Sequence, residues 1–239
     1  MKRRLPFSLA LAAALAFATG PGLAFAEGGT YLDPHQIDLP ALLAPPPTLG
    51  TAQQRADLAR VLEVQRTRTP EQVERARADV QKSVFRFADV LGPSFNEKNL
   101  PKTAALFAAA SHDAENVAKG GKQFFERPRP FVTSSDVHPT VVISPSSAYN
   151  SYPSGHATFG YMTAILLAQM VPEKRSEIFA RGREFGENRI VDGVHYPSDV
   201  EAGRIDGSLV AEALMANPDF QRSFAAAKSE VRTALGLPN

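Results

Sequence analysis

The chain contains no cysteine. Disulfide bonds, thiolate nucleophiles and cysteine-ligated zinc are therefore excluded, and packing must supply the stability. It also lacks an apolar run of the ~20 residues that a membrane helix needs. Leu9 to Ala18 and Thr158 to Val171 are both shorter. No stretch alternates apolar and polar residues as a half-buried strand would, and no internal repeat is present. Charge of one sign is missing too: 26 Lys and Arg stand against 25 Asp and Glu, a formal net charge of +1. There is no overall basic field for nucleic acid, so any anion site must be built locally.

What is present begins with a leader. Residues 1–26 carry Lys2, Arg3 and Arg4, an apolar run, and the small-residue end Ala24-Phe25-Ala26. These are the three parts of a cleavable secretory signal, which implies a mature chain from Glu27 in the periplasm or outside the cell. Loss of the three basic residues takes the net charge from +1 to −2. Residues 27–50, with Pro45-Pro46-Pro47, read as an extended proline-rich N-terminal arm lying over the domain. Residues 51–239 suffice for one core, so an all-α, single-domain helical bundle is expected there.

Helical periodicity starts at Thr51, with Leu58, Val61, Leu62 and Val64 near one face. Thr69-Pro70-Glu71-Gln72 supplies an N-cap, a first-turn proline and a capping-box partner, which predicts a second helix running to about Leu91. Further helices are predicted from Pro101 to about Val117, Ser154 to Val171, Glu173 to Glu187, Ser198 to Ala216 and Pro218 to Leu235. Pro130 to Tyr152 is the one long irregular stretch in the helical body, and such loops are often functional.

Three segments concentrate anion-binding and proton-transfer groups beside breaks in the backbone. Lys122 to Pro130 offers Lys122, Arg127 and Arg129 before a proline-ended turn. An arginine fork matches phosphate oxygens and lysine acts as a point charge. Tyr152-Pro153-Ser154-Gly155-His156 opens an apolar helix whose first N–H groups and positive dipole end would face a bound anion. Arg189 to Asp199 adds a third cation, a histidine able to act as nucleophile or base, and a carboxylate four residues on that can hold the ring N–H.

In this order and spacing, Lys122, Arg129-Pro130, Pro153-Ser154-Gly155-His156, Arg189, His195 and Asp199 resemble the motifs of the bacterial class A nonspecific acid phosphatases. These belong to the type 2 phosphatidic acid phosphatase and vanadium haloperoxidase superfamily. Asn188 stands where that pattern has serine. The resemblance implies that His195 attacks phosphorus, Asp199 orients it, and His156 protonates the leaving alcohol. Lys122, Arg129, Ser154, Gly155 and Arg189 would hold the phosphoryl oxygens. It implies a metal-independent hydrolase of small phosphate monoesters with no cofactor, and phosphoryl transfer needs mainly positioning and fixed charge.

Taken singly, each of these residues has an ordinary reading as a solvated charge, a helix cap or a structural hydrogen bond; their joint occurrence is what argues for a site. Arg127, outside the pattern, keeps the ordinary reading of a surface charge, as do Asp113 and Glu115, and His35, His112 and His138 have no motif around them. Two rival functions remain: a vanadium-dependent haloperoxidase, which holds vanadate with the same residue set, and a noncatalytic periplasmic anion-binding protein, which has no use for His195 with Asp199. The preferred monoester is not written in the sequence, and a homo-oligomer stays open.

Overall fold

The computed structural model describes residues 30–238; the expected leader, residues 1–26, lies outside them. Among the described residues the protein is all-helical, with no strand. In chain order the helices are α1 (Leu39–Leu42), α2 (Ala52–Thr67), α3 (Pro70–Ala78), α4 (Ala88–Leu91), α5 (Pro101–Phe125), α6 (Pro130–Thr133), α7 (Gly155–Met170), α8 (Arg175–Val191), α9 (Pro197–Ala216) and α10 (Pro218–Ala234). Short 3-10 turns punctuate the connections, at Pro34–Gln36, Val84–Phe87, Pro145–Ser147 and Pro172–Lys174.

Side-chain caps start α2, α3 and α10. Thr51 accepts from the Gln54 N–H at the head of α2, and Thr69 with Gln72 closes a full capping box on α3. Asn217 caps α10, where Pro218 starts the first turn. The expected long helix to Leu91 does not form. It breaks after Ala78 because the Asp79 side chain turns into the core, where the Arg181 guanidinium takes both of its oxygens (2.8 and 2.6 Å) and Asn188 adds a third bond (2.8 Å). Conversely, α5 runs through Gly120 and Gly121 to Phe125, two turns beyond its expected end.

Helix α7 is the middle of the molecule. It is apolar all round, which marks a helix with neighbours on every side, and Phe159, Met162, Leu166, Leu167 and Met170 are all buried. The rings of Phe87, Phe159 and Phe185 pack around it at centroid distances of 5.7 and 5.0 Å. Its approach to α8 and α9 is closer than side chains allow. A Cβ placed on Gly182 would lie 2.6 Å from the Gly160 carbonyl oxygen, and one on Gly203 would collide with the Ser154 carbonyl and sit 2.8 Å from the Ala157 Cβ. Glycine at these positions lets three helix backbones touch.

The N-terminal segment is tied down rather than free. The Thr30 and Tyr31 N–H groups donate to the buried carboxylate of Asp113 (2.5 and 2.9 Å), Asn217 donates to the Tyr31 carbonyl, and Leu32, Ile37 and Leu39 enter the core. Asp113 is thus an anchor, where its sequence context suggested an ordinary solvated charge. Glu115 matches that suggestion, pairing with Lys82 at the surface.

Gly203→Ala should test the helix contact. Its new methyl meets backbone and cannot be relieved by a rotamer change, so the variant should lose about 1–3 kcal/mol of stability. Thermal unfolding should show it as a drop of roughly 2–4 °C per kcal/mol for a chain of this size. An unchanged melting temperature would mean that α7 and α9 are free to separate.

Candidate active site

The helix contacts bring the three sequence segments to one place. The Ser154 N–H donates to the Asp199 carbonyl (3.0 Å), which pins the start of α7 to the start of α9. Ser154 itself is buried, and its hydroxyl caps the Ala157 N–H. A Cβ added at Gly155 would meet nothing within 4 Å, so the first turn of α7 opens onto free space on that side. A half-buried first turn that is open on one side, with its N–H groups and dipole, is a ready anion receptor.

His195 is buried, and its tautomer follows from its neighbours. Arg129 Nη1, which can only donate, lies 3.1 Å from Nε2, while the Asp199 carboxylate oxygen, which can only accept, lies 3.3 Å from Nδ1. The ring hydrogen is therefore on Nδ1 and the lone pair on Nε2. Burial pushes the imidazole well below its usual range, and the nearby Arg129, Lys122 and Arg189 charges push the same way.

Asp199 is the most heavily hydrogen-bonded carboxylate of the site. It accepts from Arg127 Nη1 (2.5 Å), Ser151 Oγ (2.6 Å) and the Tyr196 N–H (2.8 Å) in addition to His195. Burial pushes its carboxyl above the usual range, and the Arg127 guanidinium is the largest opposing influence. Arg127 also donates to Asp57 (3.0 Å) and Ser198 (2.7 Å) and lies 4.2 Å over the Tyr196 ring. The sequence reading of Arg127 as a surface charge is thereby corrected. It is a buried bridge between α2 and α9 that fixes the carboxylate behind His195.

The three motif cations are held mainly through neutral carbonyls. Lys122 donates to the Asn150 carbonyl (2.9 Å) and to the Pro153 carbonyl. Arg129 donates to the Ser147 and Val194 carbonyls (2.9 and 2.7 Å). Arg189 donates to the Ala76 carbonyl and pairs with Asp192 (2.8 Å), while its buried Nε has no hydrogen-bond partner among the described residues. A buried donor without an acceptor is costly unless something fills the place, and an oxyanion would. Burial brings the Lys122 ammonium down to about 7, with Arg129 adding to the effect, and burial brings Arg129 to about 10.

His156 donates from Nε2 to the Val80 carbonyl (3.1 Å), which leaves Nδ1 as the second titrating nitrogen. Burial, then the Arg189 and Lys82 charges, push this ring well below its usual range as well. The Ala76 and Val80 carbonyls that hold Arg189 and His156 flank Asp79 at the end of α3. Burial opposes ionisation of Asp79, yet the Arg181, Arg86 and Asn188 contacts keep its carboxyl below the usual range. Asn188, the departure from the motif, thus serves the helix end that positions two site residues. Neither Asp79 nor Asp57 belongs to a motif, and no local signal in the sequence marks them.

All eight residues expected at the site, Lys122, Arg129, Ser154, Gly155, His156, Arg189, His195 and Asp199, line or underlie this one region. Among the described residues no group of three or more His, Cys, Asp or Glu side chains is arranged to hold a metal ion. Among the described residues no helix is long and apolar enough to cross a membrane.

Comparison with known proteins gives a consistent result. A family model described as the PAP2 superfamily matches residues 102–222, a stretch that contains all eight residues. The chain is 33% identical over 210 residues to a non-specific acid phosphatase of Providencia stuartii, covering 84% of each protein. It is 33% identical over 149 residues to a non-specific acid phosphatase of Salmonella typhimurium, covering 61% of this chain and 59% of that one. An acid phosphatase of Zymomonas mobilis is 32% identical over 197 residues, covering 80% and 75% respectively.

Arg127→Gln separates the buried bridge from a surface charge. It leaves Asp57 and Asp199 buried without their cation, so the stability loss should be about 3–5 kcal/mol, measured by denaturant or thermal unfolding. A surface arginine would cost no more than about 0.5 kcal/mol.

Proposed function

The chain belongs to the PAP2 superfamily, and from that premise we propose that it is an exported acid phosphatase that hydrolyses phosphate monoesters, without a metal, through a phosphohistidine on His195. The observation that carries the reading is the seating of His195 between Asp199 at Nδ1 and Arg129 at Nε2, which selects one tautomer. The hydrogen sits on Nδ1 against Asp199, and the lone pair sits on Nε2 beside a guanidinium able to hold a phosphoryl oxygen.

In the first half-reaction Nε2 attacks phosphorus as the ester P–O bond breaks, and His156 gives a proton to the departing alkoxide oxygen. Because its Nε2–H is held by the Val80 carbonyl, that proton is carried on Nδ1. Asp199 balances the positive charge that develops on the His195 ring. Lys122, Arg129, Arg189 and the first turn of α7 bind the equatorial oxygens, where charge is spread in the transition state. In the second half-reaction water attacks phosphorus, His156 accepts its proton, and the P–N bond breaks to release phosphate and neutral His195. These cations surround the oxyanion without a metal, and the histidines and carboxylate are already occupied by proton transfer and orientation.

The leader supports export, and the absence of an overall basic field argues against nucleic acid as a substrate. Bromide oxidation in the presence of vanadate would reveal the haloperoxidase alternative. An anion-binding protein would show no turnover of any ester.

His195→Ala should lower turnover of p-nitrophenyl phosphate on the order of a thousandfold or more while the protein stays folded. Enzyme quenched into base during turnover should carry a phosphate adduct on the peptide containing His195, detectable by mass spectrometry. Substantial activity in the variant, or an adduct elsewhere, would overturn the assignment.

The pH profile follows from the shifts with their signs. A nucleophilic histidine must be neutral at Nε2, and because His195 is pushed well down, that form persists into acid. The acid role of His156 needs its ring protonated, which places the alkaline limb at the loss of that proton. Burial and neighbouring cations push His156 down as well, which brings that limb into the acid range, and the Lys122 ammonium is lost in turn as pH rises through about 7. Turnover should therefore be greatest below neutrality and be unchanged by EDTA. An alkaline optimum, or activity removed by EDTA and restored by zinc or magnesium, would refute the mechanism.

A further inference from the structure

One buried carboxyl has no place in the motif set. Asp206 lies on α9, seven residues and about two turns beyond Asp199. It is fully buried, and its hydrogen-bond partner is the Thr158 hydroxyl of α7, 2.8 Å from Oδ2. Oδ1 has no hydrogen-bond partner among the described residues. A carboxyl with one oxygen unsatisfied in a helix interface is a destabilising choice, because an isolated buried charge is costly and an apolar residue would pack there without that cost. The charged group whose field reaches it is Lys122 on α5.

Lys122 in turn lacks a counter-charge of its own. Its ammonium is held by the Asn150 and Pro153 carbonyls, which are neutral, and no carboxylate stands within ion-pair distance of it among the described residues. The charged groups facing it are Arg129 from the turn before α6, Lys82 from the segment after α3, and Asp199 and Asp206 from α9. The two cations oppose its protonation. Of the two carboxylates, Asp199 is already committed to Arg127 at 2.5 Å and to His195 at 3.3 Å. Asp206 is committed to no cation.

We propose that Asp206 is a positioning residue acting through Lys122: its buried carboxylate is the counter-charge that holds the proton on the Lys122 ammonium up to neutrality, and with it the anion affinity of the site. The inference rests on the reading of Lys122 as a phosphate ligand. Burial brings the carboxyl up to about 7 and the ammonium down to about 7, so the two groups exchange protons in the same range and influence each other there. When the pair loses its first proton from Asp206, the resulting negative charge holds the remaining proton on Lys122. Without Asp206, the proton lost in that range comes from Lys122 itself. Thr158 can donate to the carboxylate or accept from the acid, so it accommodates both forms.

The test is the affinity for inorganic phosphate, measured by calorimetry across pH for the wild type and Asp206→Asn. The amide keeps the shape and the bond to Thr158 and removes only the titrating charge. The ionisation of phosphate itself is common to both proteins and cancels in the ratio of their dissociation constants. That ratio should be close to one at about pH 5, where carboxyl and amide are both neutral, and Asp206→Asn should bind on the order of tenfold more weakly at about pH 8.

A residue that merely packed would weaken binding equally at all pH values. A ratio that does not change with pH, or tighter alkaline binding in the variant, would overturn the proposal. Asp206→Val, uncharged and apolar, must show the same pH-dependent weakening and serves if the amide variant does not fold. A wild type that binds no phosphate at any pH would instead overturn the phosphatase reading, and this inference with it.

Discussion

The close approach of α7 to α8 and α9 is the constraint on which the site depends. Where Gly160 meets Gly182 and Gly203 meets the Ser154 carbonyl, no side chain separates the helices. That contact sets the first turn of α7, with Ser154, Gly155 and His156, against the last turn of α8, which carries Arg189, and the loop before α9, which carries His195. A larger residue at the contact would clash with the facing backbone and force the helices apart. The order and hand of the motifs along the chain matter less than this geometry, since helix ends carry the functional groups and glycine contacts bring the ends together.

Electrostatic design follows from where the acceptors are. Lys122 and Arg129 are oriented largely by backbone carbonyls, which hold a cation in place without cancelling its charge. Their positive potential stays available to an incoming anion, and the same lack of neutralisation explains why burial lowers both. The carboxylates that do bind cations tightly sit behind the site. Asp199 is clamped by Arg127, and Asp79 by Arg181 and Arg86. These pairs are costly to desolvate and are weak evidence for stability in themselves. Their visible effect is positional: one fixes the ring of His195, and the other fixes the end of α3, where the Ala76 and Val80 carbonyls hold Arg189 and His156.

Helices at Ala52, Pro70, Pro101, Gly155, Pro197 and Pro218 were legible in the sequence because their signals are local: an N-cap or first-turn proline followed by apolar residues at a spacing of three or four. The eight candidate site residues were legible because motif chemistry is local as well. Sequence reading failed at the C-terminal end of α3, at the glycine pair inside α5, and at Arg127 and Asp113. At each of these places the outcome was decided by a partner from elsewhere in the chain. Asp79 ends α3 because Arg181, 102 residues later, captures it, and Arg127 is buried because Asp199, 72 residues later, receives it.

By itself, then, the amino-acid order determined the all-helical class, the ends of most helices, and a set of cations and histidines suited to an oxyanion. Tertiary structure decided which charges are buried, which tautomer His195 adopts, and that Asp57, Asp79 and Asp206 take part at all. Helical periodicity reports which residues prefer the interior, and a motif reports which chemistry is available. Neither reports the partner of a buried charge, because that partner arrives from a distant segment only when the helices pack.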